Sequence, residues 1–458
     1  MLSLLDIAER SQRGPKVEEK AWDMGLFRKM GELVAKYEIA YPDDGSFTNS
    51  DDALADRAFE AALEFLADVG IYCITTGRVI QFGRDELAEA VKEIPGEVIV
   101  GEGRDARVIR QIALGEREHI GQCPGHHAPF SEEYAPLVVK NFAQIPSGDY
   151  LEGINFDRVD GREVFGVPME AYAARRELAW LREGVRKAGR PGMAVAYYPI
   201  STRSAVLIAP MDPVYGLRRT DGILLSVLPD VKVEHDLLTA AIVYQDYGCF
   251  KVNGGGSGLV GGFCGGPEGA VIESLVKSLG GFLVYRDTLC NTGVGRLATT
   301  TSRTMSLDPQ TSWAGSVVFQ ALHRHTKTVC FGGAGNAAGP GTETHLWELA
   351  FGAIRAPVNG YNLYIPRQGR ARMNASQTPL EAEWVYEVAT AAMRSGLEGG
   401  RSEDLLRKVA AEVEGRAVED PVHISECYDL VHHRPSPEYE RIYLGVKEEL
   451  ASMGLAFD

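Results

Sequence analysis

The chain of 458 residues carries a formal net charge of −16, with 45% apolar and 24% charged residues. That is enough to bury one large α/β barrel or two domains. No apolar run reaches the roughly 18 residues a membrane span needs, and no basic stripe offers itself to nucleic acid or anionic lipid. Seven scattered cysteines without a CxxC pair point to reduced thiols rather than a disulfide framework. Residues 1–13 hold two acidic groups and only a short apolar start, unlike a signal peptide, so the expected location is cytoplasmic. An acidic exterior suits a cationic ligand or a basic patch on a partner, or serves solubility alone.

In chain order, residues 1–50 are polar and expected to be irregular apart from one or two short helices. An apolar stripe at Leu54, Ala58, Ala61, Phe65 and Val69 predicts a helix over 51–69, with Asp51 or Asp52 capping it and Gly70 ending it. Short strands at 71–75 and 79–82, a helix at 85–94 and two strands within 97–109 complete an N-terminal α+β extension, residues 1–118. From 119 the pattern alternates. Strands are predicted at 119–122, 150–155, 193–197, 223–228, 250–253, 282–286, 329–332 and 361–364. Helices are predicted at 131–145, 168–188, 234–247, 268–280, 312–326, 343–355 and 380–396. Eight strands alternating with helices predict a parallel sheet, and the count fits a (β/α)8 TIM barrel over 119–400. An open doubly wound sheet is the structural competitor, but no GxGxxG joins a first strand to a helix, so a dinucleotide site has little support. Helices at about 402–413 and 437–453 form a C-terminal cover, residues 401–458, and the whole reads as one integrated domain.

Barrel active sites lie at the carboxyl edge of the strands. The residues predicted there are Cys123 to His127, Asn155 to Arg158, Ala196 to Tyr198, Pro229 and Asp230, Asn253 to Gly258, Asp287, Gly333 to Asn336, and Arg367. This ring is rich in Gly, Asn and Tyr and holds no obvious nucleophile paired with a base. Such a lining shapes a pocket for another reagent. The glycine runs around Gly255 and Gly335 let backbone approach a bulky ligand, or simply turn the chain. No Lys-Ser/Thr follows them, which excludes a P-loop. Cys123, His126 and His127 carry donor chemistry suited to zinc, or are ordinary pocket-lining groups. Asp105 either forms an ion pair with Arg104 or Arg107, or faces the barrel mouth and binds a cation. Glu268 and Glu343 begin helices, where the helix dipole accounts for them. Trp180, Trp313, Trp347 and Trp384 fall on helical faces and read as core or interface.

Residues Ala188 to Tyr198 read as a helix end, a tight turn and a short apolar strand opening into a pocket. This segment resembles the part of the monomethylamine:corrinoid methyltransferases that carries pyrrolysine, and Ala196 stands at the matching position. The likeness extends to Arg13-Gly14-Pro15-Lys16-Val17 with Glu19-Lys20, Gly70-Ile71-Tyr72-Cys73 and Gly103-Arg104-Asp105-Ala106. It continues through Gly339-Pro340 with Thr342-Glu343, and Glu426-Cys427-Tyr428-Asp429 with Pro437-Glu438-Tyr439. The resemblance implies an oligomeric (β/α)8 barrel that presents a methylated amine to a separate corrinoid protein. There Co(I) attacks the methyl carbon, giving methyl-Co(III) and free amine.

Alanine cannot form the adduct proposed for pyrrolysine. By the same resemblance, two acidic pocket positions fall near Leu224 and Gly255, leaving Asp105 as the acidic group that matches. The implied substrate is therefore a quaternary amine rather than monomethylamine, since quaternary nitrogen is already a good leaving group. Tyr197, Tyr198 and Phe263 would hold it by cation–π contact. Gly255 and Gly335 would leave room for it, and Asn336 would complete the lining. The chain is expected to bind no cofactor tightly, the cobalamin being carried by the partner, and to form a homo-oligomer. Two other readings share the fold: a non-catalytic amine-binding barrel, and a metal-dependent hydrolase using Cys123, His126 and His127.

Overall fold

The computed structural model describes residues 2–126, 130–296, 307–333, 336–366, 377–397, 399–416 and 418–457. They fall into two compact units. The first holds Met1–Val98, Leu224–Ser302 and Asp308–Phe331, the second Ile99–Ile223, Arg303–Leu307 and Gly332–Asp458.

The strands that carry the argument are β1 (Tyr150–Glu152), β2 (Ala194–Tyr197), β3 (Gly222–Leu224), β4 (Phe250–Asn253), β5 (Leu289–Asn291), β6 (Val329–Gly332) and β7 (Asn362–Leu363). In the second unit β1 pairs with β2 and β2 with β3, all parallel. An eighth extended segment, residues 120–125, runs between β7 and β1. Cys123 N–H donates to the Leu363 carbonyl at 2.9 Å, and Asp149 N–H donates to the Gln122 carbonyl at 2.9 Å. In the first unit β4, β5 and β6 pair in that order, again parallel. Two of the chain's passages between the units fall inside strands, within β3 and within β6.

Helices follow the extended segments in turn: α1 (Ala135–Ala143), α2 (Val167–Lys187), α3 (Ser204–Ile208), α4 (His235–Tyr247), α5 (Pro267–Tyr285), α6 (Pro309–His325), α7 (Glu343–Asn359) and α8 (Pro379–Arg394). Parallel strands feeding helices are covered on both faces, so they read as apolar runs. All four residues of β2 are buried. Trp313, Trp347 and Trp384 are among the largest fully buried side chains, as expected of core tryptophans.

Two local expectations fail for physical reasons. The apolar run Phe282-Leu283-Val284-Tyr285 was expected to be a strand, but it is the last turn of α5. That helix is buried almost all round, so its sequence lacks the polar face that marks a helix, and the strand begins only at Leu289. The amino-terminal stretch is more ordered than its polarity suggests. Leu4–Arg13 is a helix with a Ser3–Asp6 capping box, and Glu19–Lys36 buries Trp22, Leu26, Met30 and Leu33 along one stripe.

Candidate functional site

The segment 188–198 folds as a clamped turn. Gly189 takes φ of 77° just after α2, a conformation that favours glycine. Arg190 then donates to the carbonyls of Ala143 and Ile145, each at 3.2 Å, and of Gly148 at 2.9 Å. Asp105 accepts from Gly192 N–H at 2.9 Å and lies 3.8 Å from the Arg190 guanidinium. Asp221 accepts from Val195 N–H at 3.0 Å and forms a buried ion pair with Arg182. These contacts fix where β2 starts.

They also correct the expectation for Asp105. Gly192 precedes β2, so Asp105 holds the amino edge of that strand, opposite the edge where barrels bind substrate. Its cationic neighbour is Arg190, while Arg104 instead reaches the Gly189 carbonyl and Arg107 those of Arg104 and Ala106.

Strand alternation sorts the remaining side chains in the second unit. Gln122 donates to the Ala382 carbonyl of α8 at 2.6 Å, and the Tyr197 hydroxyl donates to the Val206 carbonyl of α3 at 3.4 Å. Those residues face the helices. Tyr197 was expected to line the substrate pocket, and the period of two along β2 turns it away while Ala196 points inward. Across the β1–β2 ladder Ala196 stands directly opposite Glu152, and across β2–β3 it stands opposite Gly222. The Tyr364 hydroxyl donates to Glu152 Oε2 at 2.6 Å, and the Tyr150 hydroxyl to Oε1 at 3.5 Å. Burial, then the charge of Glu152, pushes the neighbouring Cys123 thiol up. Cys123, Tyr150, Glu152, Ala196 and Tyr364 therefore share the inward face, with Tyr150 at the start of β1 and Glu152 and Ala196 toward the carboxyl ends of their strands.

Behind this cluster two buried groups face the helices. His126 Nδ1 bonds the Glu152 carbonyl at 2.9 Å, and its ring meets Phe130 and Phe142 edge-on. Burial holds its pKa down to about 4, which keeps the imidazole neutral. Glu177 of α2 sits against Gly153, where an added Cβ would lie 1.8 Å from Glu177 Oε1. Burial pushes the Glu177 carboxyl well above the usual range, opposed by a bond from Ile154 N–H.

The other expected site residues land as follows. Tyr198 is half-buried just past the carboxyl end of β2, and Asn336 is buried. Gly255 does not open a cavity, because a Cβ there would meet the Val227 carbonyl oxygen at 2.5 Å, so its missing side chain admits backbone. Phe263 is 44% exposed, so no enclosing wall surrounds its ring to hold a cation. Leu224 is buried on β3, two residues beyond Gly222. His127, Gly335 and Arg367 lie outside the described residues. Among the described residues no group of three His, Cys, Asp or Glu side chains is placed to hold a metal ion. No helix among them is long and apolar enough to cross a membrane.

The profile of the monomethylamine methyltransferase MtmB family matches residues 2–455. The chain belongs to the MtmB family. It is 27% identical to monomethylamine methyltransferase MtmB2 of Methanosarcina acetivorans over 99% of this chain and 98% of that protein. It is 26% identical to MtmB of Methanosarcina mazei over the same shares. The crystal structure of MtmB from Methanosarcina barkeri superposes with a TM-score of 0.90 at 24% identity, covering 100% of this chain and 99% of that one. The crystal structure of the hydroxylamine MtmB complex superposes equally well. With this match and the eight parallel segments, the fold is a (β/α)8 barrel, and the MtmB membership makes the chain a methyltransferase.

The sequence reading missed Glu152, Tyr364 and Glu177. It extended the strand of β1 to Asn155 and sought the pocket beyond it. The available signal was Glu152 itself, a carboxylate inside the apolar run Tyr150 to Ile154.

Proposed function

We propose that the chain moves a methyl group from a small, positively charged methylated amine, a quaternary one, to the corrinoid of a separate protein. The observation that carries this reading is Ala196, an inward methyl group at the carboxyl end of β2 in a chain matched along its whole length by the MtmB family. The partner's corrinoid supplies the Co(I) nucleophile. The chain's own residues bind the donor, orient its methyl group outward and keep water from the carbon.

Displacement at a methyl carbon requires the nitrogen to depart with the bonding pair. A neutral amine would depart as a strongly basic amide anion, whereas a protonated or quaternary nitrogen departs as a neutral amine. A quaternary donor needs no proton held on it and no covalent help from a side chain, which suits alanine at position 196. Tyr198 at the strand end offers an aromatic face to such a cation. The test combines the purified chain, a cognate corrinoid protein and a reductant with tetramethylammonium, a betaine or methylamine. Methylated corrinoid, read from its absorbance, is expected with a quaternary donor. Methylation from methylamine alone overturns the substrate assignment.

A further inference from the structure

We infer that Glu152 is the residue that selects a cationic donor, its carboxylate taking the positively charged nitrogen in a hollow beside Ala196. This rests on the proposed methyl transfer, and names the group in the site that recognises the donor.

Three observations converge. The first is the row Glu152–Ala196–Gly222, which the strand registers place side by side on the inner face of β1, β2 and β3. Neighbouring strands lie about 4.8 Å apart, so on this face Glu152 is flanked by a residue with only a methyl side chain and then by a bare backbone. Barrel interiors are ordinarily filled by layers of bulky branched side chains. Here the row steps from a long side chain to none, while in the row below Ala194 stands opposite Tyr150.

The second is the hold on the carboxylate. Tyr364 donates to one oxygen at 2.6 Å and Tyr150 approaches the other at 3.5 Å. Hydroxyl donors fix the direction of the acid, and an ammonium group arriving beside it supplies the countercharge that favours the ionised form in a site from which water is excluded. Glu152 is fully buried.

The third is position. Glu152 is the last residue of β1 and Ala196 the third of four in β2, so the pair lies at the carboxyl edge where a donor's methyl group can point out to a partner.

The test is equilibrium binding by calorimetry, with the full chain and no partner present. The probes are tetramethylammonium and tert-butanol, an uncharged molecule of similar bulk. E152Q preserves shape and removes charge. It is expected to weaken tetramethylammonium binding at least roughly 30-fold while changing tert-butanol binding less than about twofold. A merely structural role would move both probes together. A196L fills the hollow without touching the charge and is expected to abolish binding of both probes. Unchanged tetramethylammonium binding in E152Q, or unchanged binding in A196L, overturns the inference. If the chain binds the cation through Glu152 yet transfers no methyl group, the inference stands and the transferase reading falls. If transfer proceeds with kcat/KM untouched by E152Q, the reverse holds.

Discussion

Burial raises the pKa of two acids near the start and end of β1, Asp149 and Glu177. Asp149, just ahead of β1, accepts from Gln122 N–H at 2.8 Å, and burial pushes its pKa up to about 6 from 3.8. A carboxyl raised by folding stabilises the native state fully below its unfolded pKa, and that contribution is lost as pH rises through the folded value. D149N does not titrate and can still accept from Gln122. The stability of the parent chain relative to D149N is therefore expected to fall by up to about 3 kcal/mol between pH 4 and 6 and then level off, as read by chemical denaturation across pH. Glu177 gives a complementary case. Burial favours its neutral form, and its bond from Ile154 N–H is the contact a substitution would lose. E177Q is expected to change stability by less than about 1 kcal/mol, whereas E177A, which orphans that buried N–H, costs about 1–3 kcal/mol in the same measurement.

Between elements, contacts too close for side chains decide the packing. Gly184 of α2 lies against α1, and a Cβ there would fall 2.3 Å from Val139 Cβ. Alanine is worth about 1 kcal/mol more than glycine in a helix, but the two backbones would have to part. G184A is expected to lower stability by about 1–3 kcal/mol, measured as a drop in urea midpoint with an unchanged slope. Asp221 binds Val195 N–H, Arg182 and Arg218 together. Removing it leaves Val195 N–H without its acceptor and the partly buried Arg182 and Arg218 without their shared carboxylate, so D221A is expected to cost about 2–4 kcal/mol and to disturb the start of β2, seen as faster amide exchange at Val195. Neither glycine nor aspartate announces these roles in sequence, because the partners lie 45 and 26 positions away.

For the whole molecule, a net charge of −16 bears on partner encounter. An acidic chain that works with a separate protein gains association rate from a basic patch on that partner. Raising salt from about 0.05 M to about 0.5 M is expected to lower methyl-transfer kcat/KM for the corrinoid protein about tenfold while leaving kcat at saturating partner unchanged. A salt-independent kcat/KM would show that charge does not guide this encounter. Most of the fold was legible from one line of text, since strands and helices alternate with the right periods and the turn after α2 carries Gly189 and Gly192. The site was less legible. Ala196 lies within β2 and Tyr198 just past it, while Tyr197, Asp105 and Gly255 have surroundings other than those expected.

Periodicity, turn residues and composition determined most of the strand–helix alternation, the sixth predicted strand excepted, together with the C-terminal helices and the short apolar strand at Ala194–Tyr197, because those signals are local. The register between strands was decided only by the folded chain. Glu152 and Ala196 are 44 positions apart, and nothing local to either says that they stand face to face. A shift of one residue in β1 would turn the carboxylate toward the helices, and one in β2 would turn Ala196 there instead, since side chains alternate with a period of two. Which edge of the barrel each charged group occupies was fixed the same way, by hydrogen bonds between segments distant in sequence, and that is why Asp105 holds the amino end of a strand while Glu152 reaches the carboxyl end of its neighbour.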